Sequence, residues 1–187
     1  MKNLSEELKN FYKDENLFLS DDKCRLYDKN KGKRYYYYDT VKDSGNKKAT
    51  VIMINPSENL KPDSNTPDKT INNLKEILNT ETDISEFEVL NLYSLKAVKS
   101  EDILNKKLET LNKDIIKYVI KKAELIIPAW GIDEKFNNEA KDFIEDIKEL
   151  CKGKTVKIVI NNYPCHFSPV CTSKGRHAKL TDYHFTK

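Results

Sequence analysis

The sequence predicts an α/β protein: a three-layer α/β/α sandwich around a central, mainly parallel four-stranded sheet, preceded by an N-terminal hairpin. Three observations predict it. Thr50 to Ile54 is a continuous apolar, largely β-branched run with no polar alternation, which suits a strand buried on both faces, as in the middle of a parallel sheet. Such runs alternate along the chain with stripes of helical period, the order produced by parallel strands joined through right-handed crossovers. Each of four runs also ends on turn-forming or polar residues, which gathers those side chains at one edge of the sheet. With no repeat, low-complexity tract or linker, residues 1–187 read as one domain. A helical extension (1–23) leads into a core (24–169) and a tail (170–187).

At 187 residues the chain can bury a sizeable core. A mean hydropathy of -0.72 is polar but within the range of folded proteins, and ten Tyr, seven Phe and one Trp argue against disorder. No apolar run is long enough to span a bilayer, and the first residues lack a signal-peptide core, so the expectation is a soluble, cytoplasmic protein with no membrane partner. The net charge of +3 comes almost wholly from Lys, with Arg only at positions 25, 34 and 176. In a chain rich in Lys, Asn and Ile, scattered Lys permits a polyanionic partner without demanding one. Cys24, Cys151, Cys165 and Cys171 read as free thiols. Cys165, His166, Cys171 and His177 do not match a compact zinc spacing, so neither a metal nor a cofactor is expected.

In chain order, Ser5 to Tyr12 suits a short helix with Leu4, Leu8 and Phe11 on one face. Cys24 to Tyr27 and Lys33 to Tyr38 flank the Gly-containing link 28–32 and read as a hairpin. The four tyrosines 35–38 should put two rings on each side, as packed rings or, alternatively, as a surface on which bases stack. The central strand ends at Asn55-Pro56-Ser57, where proline stops the ladder and its polar neighbours hold a turn. A polar loop follows, and Thr66-Pro67-Asp68 begins a helix with the stripe Ile71, Leu74, Ile77 and Leu78. Phe87 to Leu90 is a second strand, ending in Asn91. Another helix is expected from Ser100-Glu101-Asp102 through Ile103, Leu104, Leu108 and Leu111, with Asn112 capping a further turn. Leu125 to Gly131 is the third strand and its turn. A helix from about Asp133 to Cys151 ends at Gly153. Thr155 to Ile160 is the fourth strand, ending near Pro164-Cys165-His166, and the tail beyond reads as irregular.

If the four strands are parallel, their ends present two amides, an imidazole, hydroxyls and an indole on one edge. There is no carboxylate pair, phosphate-cradling glycine loop or Ser/His/Asp order. An Asn side chain donates and accepts in one plane, which suits a planar heterocycle, and a His can stabilise a developing ring anion. Such a pocket suits recognition of a nucleobase, with cleavage of its glycosidic bond as the accompanying chemistry. Alternatives are a non-catalytic binder that sequesters a small nucleotide, as in phage or defence systems, and a structural protein with a vestigial pocket.

An ordered set of motifs carries a resemblance: Arg34-Tyr35, Asn55-Pro56-Ser57, Asp68-Lys69-Thr70-Ile71, Asn91-Leu92, Ala129-Trp130-Gly131 and Pro164-Cys165-His166. Over roughly Cys24 to Pro169 it resembles domain of unknown function 1643, found in bacteria and their phages. Two positions depart from that pattern: Lys69, where the family usually has Pro, and Phe167-Ser168, where it usually has Pro-Leu. More distantly, Leu90-Asn91, Trp130-Gly131 and His166-Phe167-Ser168-Pro169 resemble the uracil-DNA glycosylases, without their Gly-rich start or the water-activating Asp of the most active branch. That likeness implies Asn55 positioning the attacking water, Asn91 reading the base edge and His166 stabilising the leaving base, with the base flipped from DNA. The catalytic candidates are therefore Asn55 and His166. The candidate ligand-binding residues are Pro56, Ser57, Asp68, Thr70, Asn91, Tyr93, Trp130, Gly131 and Pro164, and the expected partner is a nucleobase or nucleotide, free or in DNA.

Overall fold

The central strand β4 (Lys47–Met53) shows how the chain uses an unbroken apolar run. Its odd residues Ala49, Val51 and Met53 enter one hydrophobic cluster, and Ile52, followed by Ile54, enters a second on the opposite face. A computed structural model describes residues 3–22, 24–56, 69–97, 102–159, 164, 165, 167 and 179–185. Beside β4 lie β5 (Ile84–Asn91) and β6 (Leu125–Pro128), both parallel to it. β7 (Thr155–Ile158) continues in parallel beyond β6.

The strand order in space is β1-β2-β3-β5-β4-β6-β7-β8, with β1 (Phe18–Leu19), β2 (Arg25–Tyr27), β3 (Arg34–Thr40) and β8 (Thr181–Asp182) completing the sheet. Among the described residues the sheet therefore has eight strands, not the four expected, and it is mixed. The hairpin is not an appendage. Its second strand pairs antiparallel with β5, Tyr37 opposite Val89, and occupies an edge that would otherwise leave a row of backbone groups unpaired. The tail is not wholly irregular either, since β8 closes the far edge against β7. Neither pairing has a local sequence signal.

Among the described residues four α-helices cover the sheet. α2 (Lys69–Asn79) packs Ile71, Leu74, Ile77 and Leu78 against the face of Val51 and Met53. α1 (Ser5–Phe11), α3 (Thr110–Lys122) and α4 (Asn138–Leu150) pack on the face of Ile52 and Ile54. No described helix is long and apolar enough to cross a membrane. The chain leaves β4 through α2 to reach β5 on one side, then returns through α3 to β6 on the other. The strand order thus reverses at β4, and in open α/β sheets ligands bind beside the carboxyl ends of strands at such a reversal.

Three helix and strand expectations are corrected. The apolar spacing 103, 104, 108, 111 does not make a helix: among the described residues 102–109 form a turn and an extended stretch, and α3 starts only at Thr110. The Leu104 carbonyl accepts from Tyr93 Oη (2.9 Å) and Asn137 Nδ2 (3.0 Å), so side chains take the place of the helical ladder. Asp133–Lys135 is a separate 3-10 turn because the Asp133 carboxylate is held by Trp130 Nε1 (2.9 Å) and Lys148 Nζ (2.7 Å). α4 is then capped afresh by Asn137, whose Oδ1 accepts from the Ala140 N–H at 2.9 Å. The tyrosines do not divide two and two. Leu26 pairs with Tyr36 but Tyr27 with Arg34, a slip that leaves Tyr35 as the extra residue. Tyr35, Tyr36 and Tyr38 pack on the α3 side and Tyr37 on the α2 side. Tyr35, Tyr36 and Tyr37 are buried, as packed rings and not as a stacking surface.

Candidate functional site

Asn91 is the last residue of β5. Met53 of β4 is its partner in the parallel register, and Val89 two residues earlier belongs to the α2-side cluster, so the Asn91 side chain faces α2. It is fully buried, and neither its Oδ1 nor its Nδ2 has a hydrogen-bond partner. An unsatisfied buried amide costs about 1–3 kcal/mol in protein mutational data. Asn112, also fully buried and not the helix cap expected, lies inside α3 and grips the same strand end from the other side. Its Nδ2 donates to the carbonyls of Asn91 (2.8 Å) and Leu92 (2.9 Å), so only its Oδ1 lacks a partner.

Asn55 lies two residues past the end of β4 and is half-buried. Its Nδ2 donates to the carbonyls of Pro56 (3.0 Å) and Ala97 (3.0 Å), and the Ala97 N–H returns a bond to the Pro56 carbonyl. Both amide protons are committed to the backbone, which fixes the plane of the group and leaves its Oδ1 as the end able to orient a donor. Pro56 is buried beside it and Thr70 is half-buried in the first turn of α2. Ser57 and Asp68, with the Thr66-Pro67-Asp68 helix start, lie outside the described residues.

The third strand end supplies backbone more than side chain. The Gly131 N–H donates to the Pro164 carbonyl at 2.5 Å, which ties the end of β6 to the segment after β7. Gly131 has φ +90°, and a Cβ there would lie 2.6 Å from Lys135 Nζ, so this turn needs glycine. Trp130 is fully buried on the α3/α4 side, stacked on Phe185 with ring centroids 6.3 Å apart, its N–H spent on Asp133. Tyr93 is on that side too. Burial, helped by Glu139, pushes its phenol up to about 12, and its hydroxyl donates to Leu104. Trp130 and Tyr93 thus brace the strand ends from the face opposite Asn91.

His166 and the remaining members of the Cys/His group, Cys171 and His177, lie outside the described residues. The neighbours of His166 are placed: Cys165 and Phe167 are buried, Phe167 joins the α2-side cluster, and its carbonyl accepts from Asn73 Nδ2 of α2 at 3.2 Å. Pro164 is thus tied to Gly131 and Phe167 to α2, and Phe167 lies on the side of the sheet that Asn91 faces. Cys24, Cys151 and Cys165 are in no disulfide, and burial pushes the Cys151 thiol up to about 12. No group of three or more His, Cys, Asp or Glu able to hold a metal occurs among the described residues.

One residue escaped the sequence reading of the site. Arg34 opens β3, which is antiparallel to β5 and therefore starts at the edge where the parallel strands end. It is buried, with its guanidinium 5.4 Å from the centre of the Tyr37 ring on the α2 side. The available signal was compositional: in a chain that uses Lys almost throughout, Arg34 is one of three arginines, and a planar five-donor fork is what Lys cannot supply.

Against known proteins, residues 34–167 match the model of a family described as protein of unknown function DUF1643. The match covers most of the chain. Neither the curated proteins nor the solved structures contain a match. The chain belongs to the DUF1643 family.

Proposed function

We propose that this DUF1643 protein binds a nucleobase, carried by a nucleotide or by DNA, in the hollow at the carboxyl ends of β4, β5 and β6, and that the chemistry suited to the site is hydrolysis of the N-glycosidic bond. The observation that carries the proposal is Asn91, an amide wholly removed from water with both its donor and its acceptor unspent. A base edge that offers a carbonyl beside an N–H satisfies both ends in one plane. The position is also the one expected for a ligand, since the strand order reverses at β4. The parallel run β5-β4-β6-β7 gathers three of its strand ends on that edge. In this reading Asn55, its plane fixed by two backbone carbonyls, presents Oδ1 to the attacking water. His166, carried between Pro164 and Phe167, stabilises the departing base anion.

A second reading, retention of a nucleotide without turnover, is favoured by a specific observation. Both Asn55 amide protons are bonded to backbone carbonyls, as in a purely structural turn. The two readings part on product. The purified protein is incubated with nucleobases, nucleosides, nucleotides and a uracil-containing oligonucleotide, followed by thermal shift and by chromatography for released base. Binding is expected to raise the unfolding temperature in wild type and not in Asn91→Ala. Released base that disappears in Asn55→Ala and His166→Ala selects the hydrolase. Binding without released base selects the binder, and no binding by any probe removes the site.

A further inference from the structure

The chain beyond β5 is stitched to the strands on either side of it. The Leu92 and Tyr93 N–H groups donate to the Met53 and Ile54 carbonyls (2.9 and 2.8 Å), and the Arg34 N–H donates to the Ser94 carbonyl at 2.8 Å. At the far end of this segment the Ala97 carbonyl accepts from Asn55 Nδ2 at 3.0 Å. Residues 92–97 therefore form the seat on which the Asn55 amide is fixed. One carboxylate holds that seat. Glu109 accepts from Ser94 Oγ at 2.7 Å, from Lys33 Nζ at 2.8 Å and from Tyr35 Oη at 3.0 Å. Burial first, then Glu109, hold the Tyr35 phenol well above its ordinary range, so it stays a donor. Tyr35 is also the extra residue of the β2·β3 slip, and a bulge re-aims a side chain in this way. Glu109 directly precedes α3, yet its side chain makes no cap bond to that helix. The carboxylate is spent on the strand ends instead. Three residues on, one neighbour along the same helix face, Asn112 grips the carbonyls of Asn91 and Leu92.

We propose that Glu109 is a positioning residue of the base site, joining the supports of its two amides in one carboxylate. On one arm it holds Ser94, three residues before the Ala97 carbonyl that fixes the plane of Asn55. On the other it ties down the start of α3, from which Asn112 holds the end of β5 at Asn91. Hydrogen bonds to a charged acceptor are the strong ones, so three donors on one carboxylate make a stiff joint. A binding amide needs that stiffness, because its geometry must be kept to within about 0.5 Å. Glu109 is 29% exposed at the carboxyl edge where both amides stand, whereas the other three-donor carboxylate of the sheet, Glu88, is 1% exposed and lies within β5. The inference rests on the nucleobase reading above and adds a residue that acts through both amides.

The test compares wild type with Glu109→Ala, Glu109→Gln and Glu88→Ala, each shown to be folded by circular dichroism. Ser94→Ala, which cuts a single bond, takes the place of Glu109→Ala should that variant fail to fold. The probes are uridine 5′-monophosphate, guanosine 5′-monophosphate and a uracil-containing oligonucleotide, titrated by calorimetry. Affinity for the probes that wild type binds is expected to fall roughly tenfold or more in Glu109→Ala. Glu109→Gln, which keeps the shape and one acceptor oxygen, is expected to recover most of it, and Glu88→Ala to keep the wild-type value. Without any ligand, the Asn55 side-chain amide protons followed by NMR are expected to exchange about tenfold faster in Glu109→Ala. Unchanged affinity or unchanged Asn55 exchange in the folded variant overturns this inference and leaves the base site standing. An equal affinity loss in Glu88→Ala assigns the effect to general loosening and also overturns it. Failure of every probe to bind wild type overturns the base site itself, and this inference with it.

Discussion

Glu88 and Asn91 lie three residues apart on the same strand, both fully buried, and they are opposites. Glu88 faces α1 and α3. It accepts from Thr50 Oγ1 (2.6 Å), Tyr36 Oη (2.7 Å) and Lys48 Nζ (2.8 Å), and Tyr36 in turn accepts from the Leu4 N–H (3.3 Å). The carboxylate is paired, bonded on both oxygens, and linked to the segment that begins α1. Asn91 faces α2 and has no bond to its side chain. Burial alone therefore does not mark function in this sheet, because a buried polar group can be a tie-point of the fold. Satisfaction separates the two. A fold recovers the desolvation of a polar group through its own partners, and where it does not, a bound water, an ion or a ligand is the remaining partner.

The largest effect should follow loss of the satisfied group. Glu88→Ala strands a lysine, a threonine hydroxyl and a phenol together, and removing one member of a buried ion pair costs about 3–5 kcal/mol. Urea unfolding is expected to show that loss, and a change under 1 kcal/mol would mean the network contributes little. Next comes Asn112→Ala, which frees the two carbonyls at the end of β5 and opens a small cavity, for a loss of about 1–3 kcal/mol. Ligand affinity should fall with it, because the carbonyls it grips belong to Asn91 and Leu92. Unchanged affinity would mean that Asn112 does not position Asn91.

A smaller effect is written in pH. Burial first, then the Glu88 carboxylate, hold the Tyr36 phenol well above its ordinary range. A folded-state pKa raised above the unfolded value contributes stability that is complete below the unfolded pKa, about 10, and that fades as pH rises beyond it. Wild type should therefore lose stability on the alkaline side, and Tyr36→Phe should flatten that loss while costing about 1 kcal/mol at neutral pH for the missing hydrogen bond. An alkaline slope identical in the variant would assign the loss to other tyrosines.

Much of this contrast could not be read from residue order. The α/β class and the apolar stripe of α2 were legible because a doubly buried strand and an amphipathic helix are local patterns. So was the placing of Asn55 and Asn91 at strand ends, since β-branched runs that stop at a polar residue state their own boundaries. The β3·β5 pairing was not, because the hairpin meets β5 across some fifty residues of chain, and nothing in either strand names the other. The Glu88 network has no local signature either, since its partners come from β3 and β4. The turn at 102–109 misled for a related reason: Ile103 and Leu108 are buried, so helical spacing was present, but the Leu104 carbonyl is bonded by tyrosine and asparagine side chains from elsewhere. Trp130 carried a motif whose side chain turned out to face the packed side of the sheet.

The smallest effect on stability is the most informative one. Asn91→Leu keeps the branching of the side chain and removes both unsatisfied polar atoms. Exchanging an unpaired buried amide for an apolar group recovers its desolvation, which offsets the strain of a slightly larger side chain, so stability should stay within about 1 kcal/mol of wild type. Nucleotide binding should disappear, because Leu can neither donate nor accept. A structural Asn would give the reverse, since losing hydrogen bonds that the fold relies on is costly whatever replaces the side chain. Urea unfolding and calorimetry on this one variant, beside Glu88→Ala, thus measure the two kinds of buried polar group on the same strand. A stability loss above about 2 kcal/mol, on the scale of a broken buried hydrogen-bond network, would place Asn91 with Glu88 as a tie-point of the fold and leave the hollow without its reader.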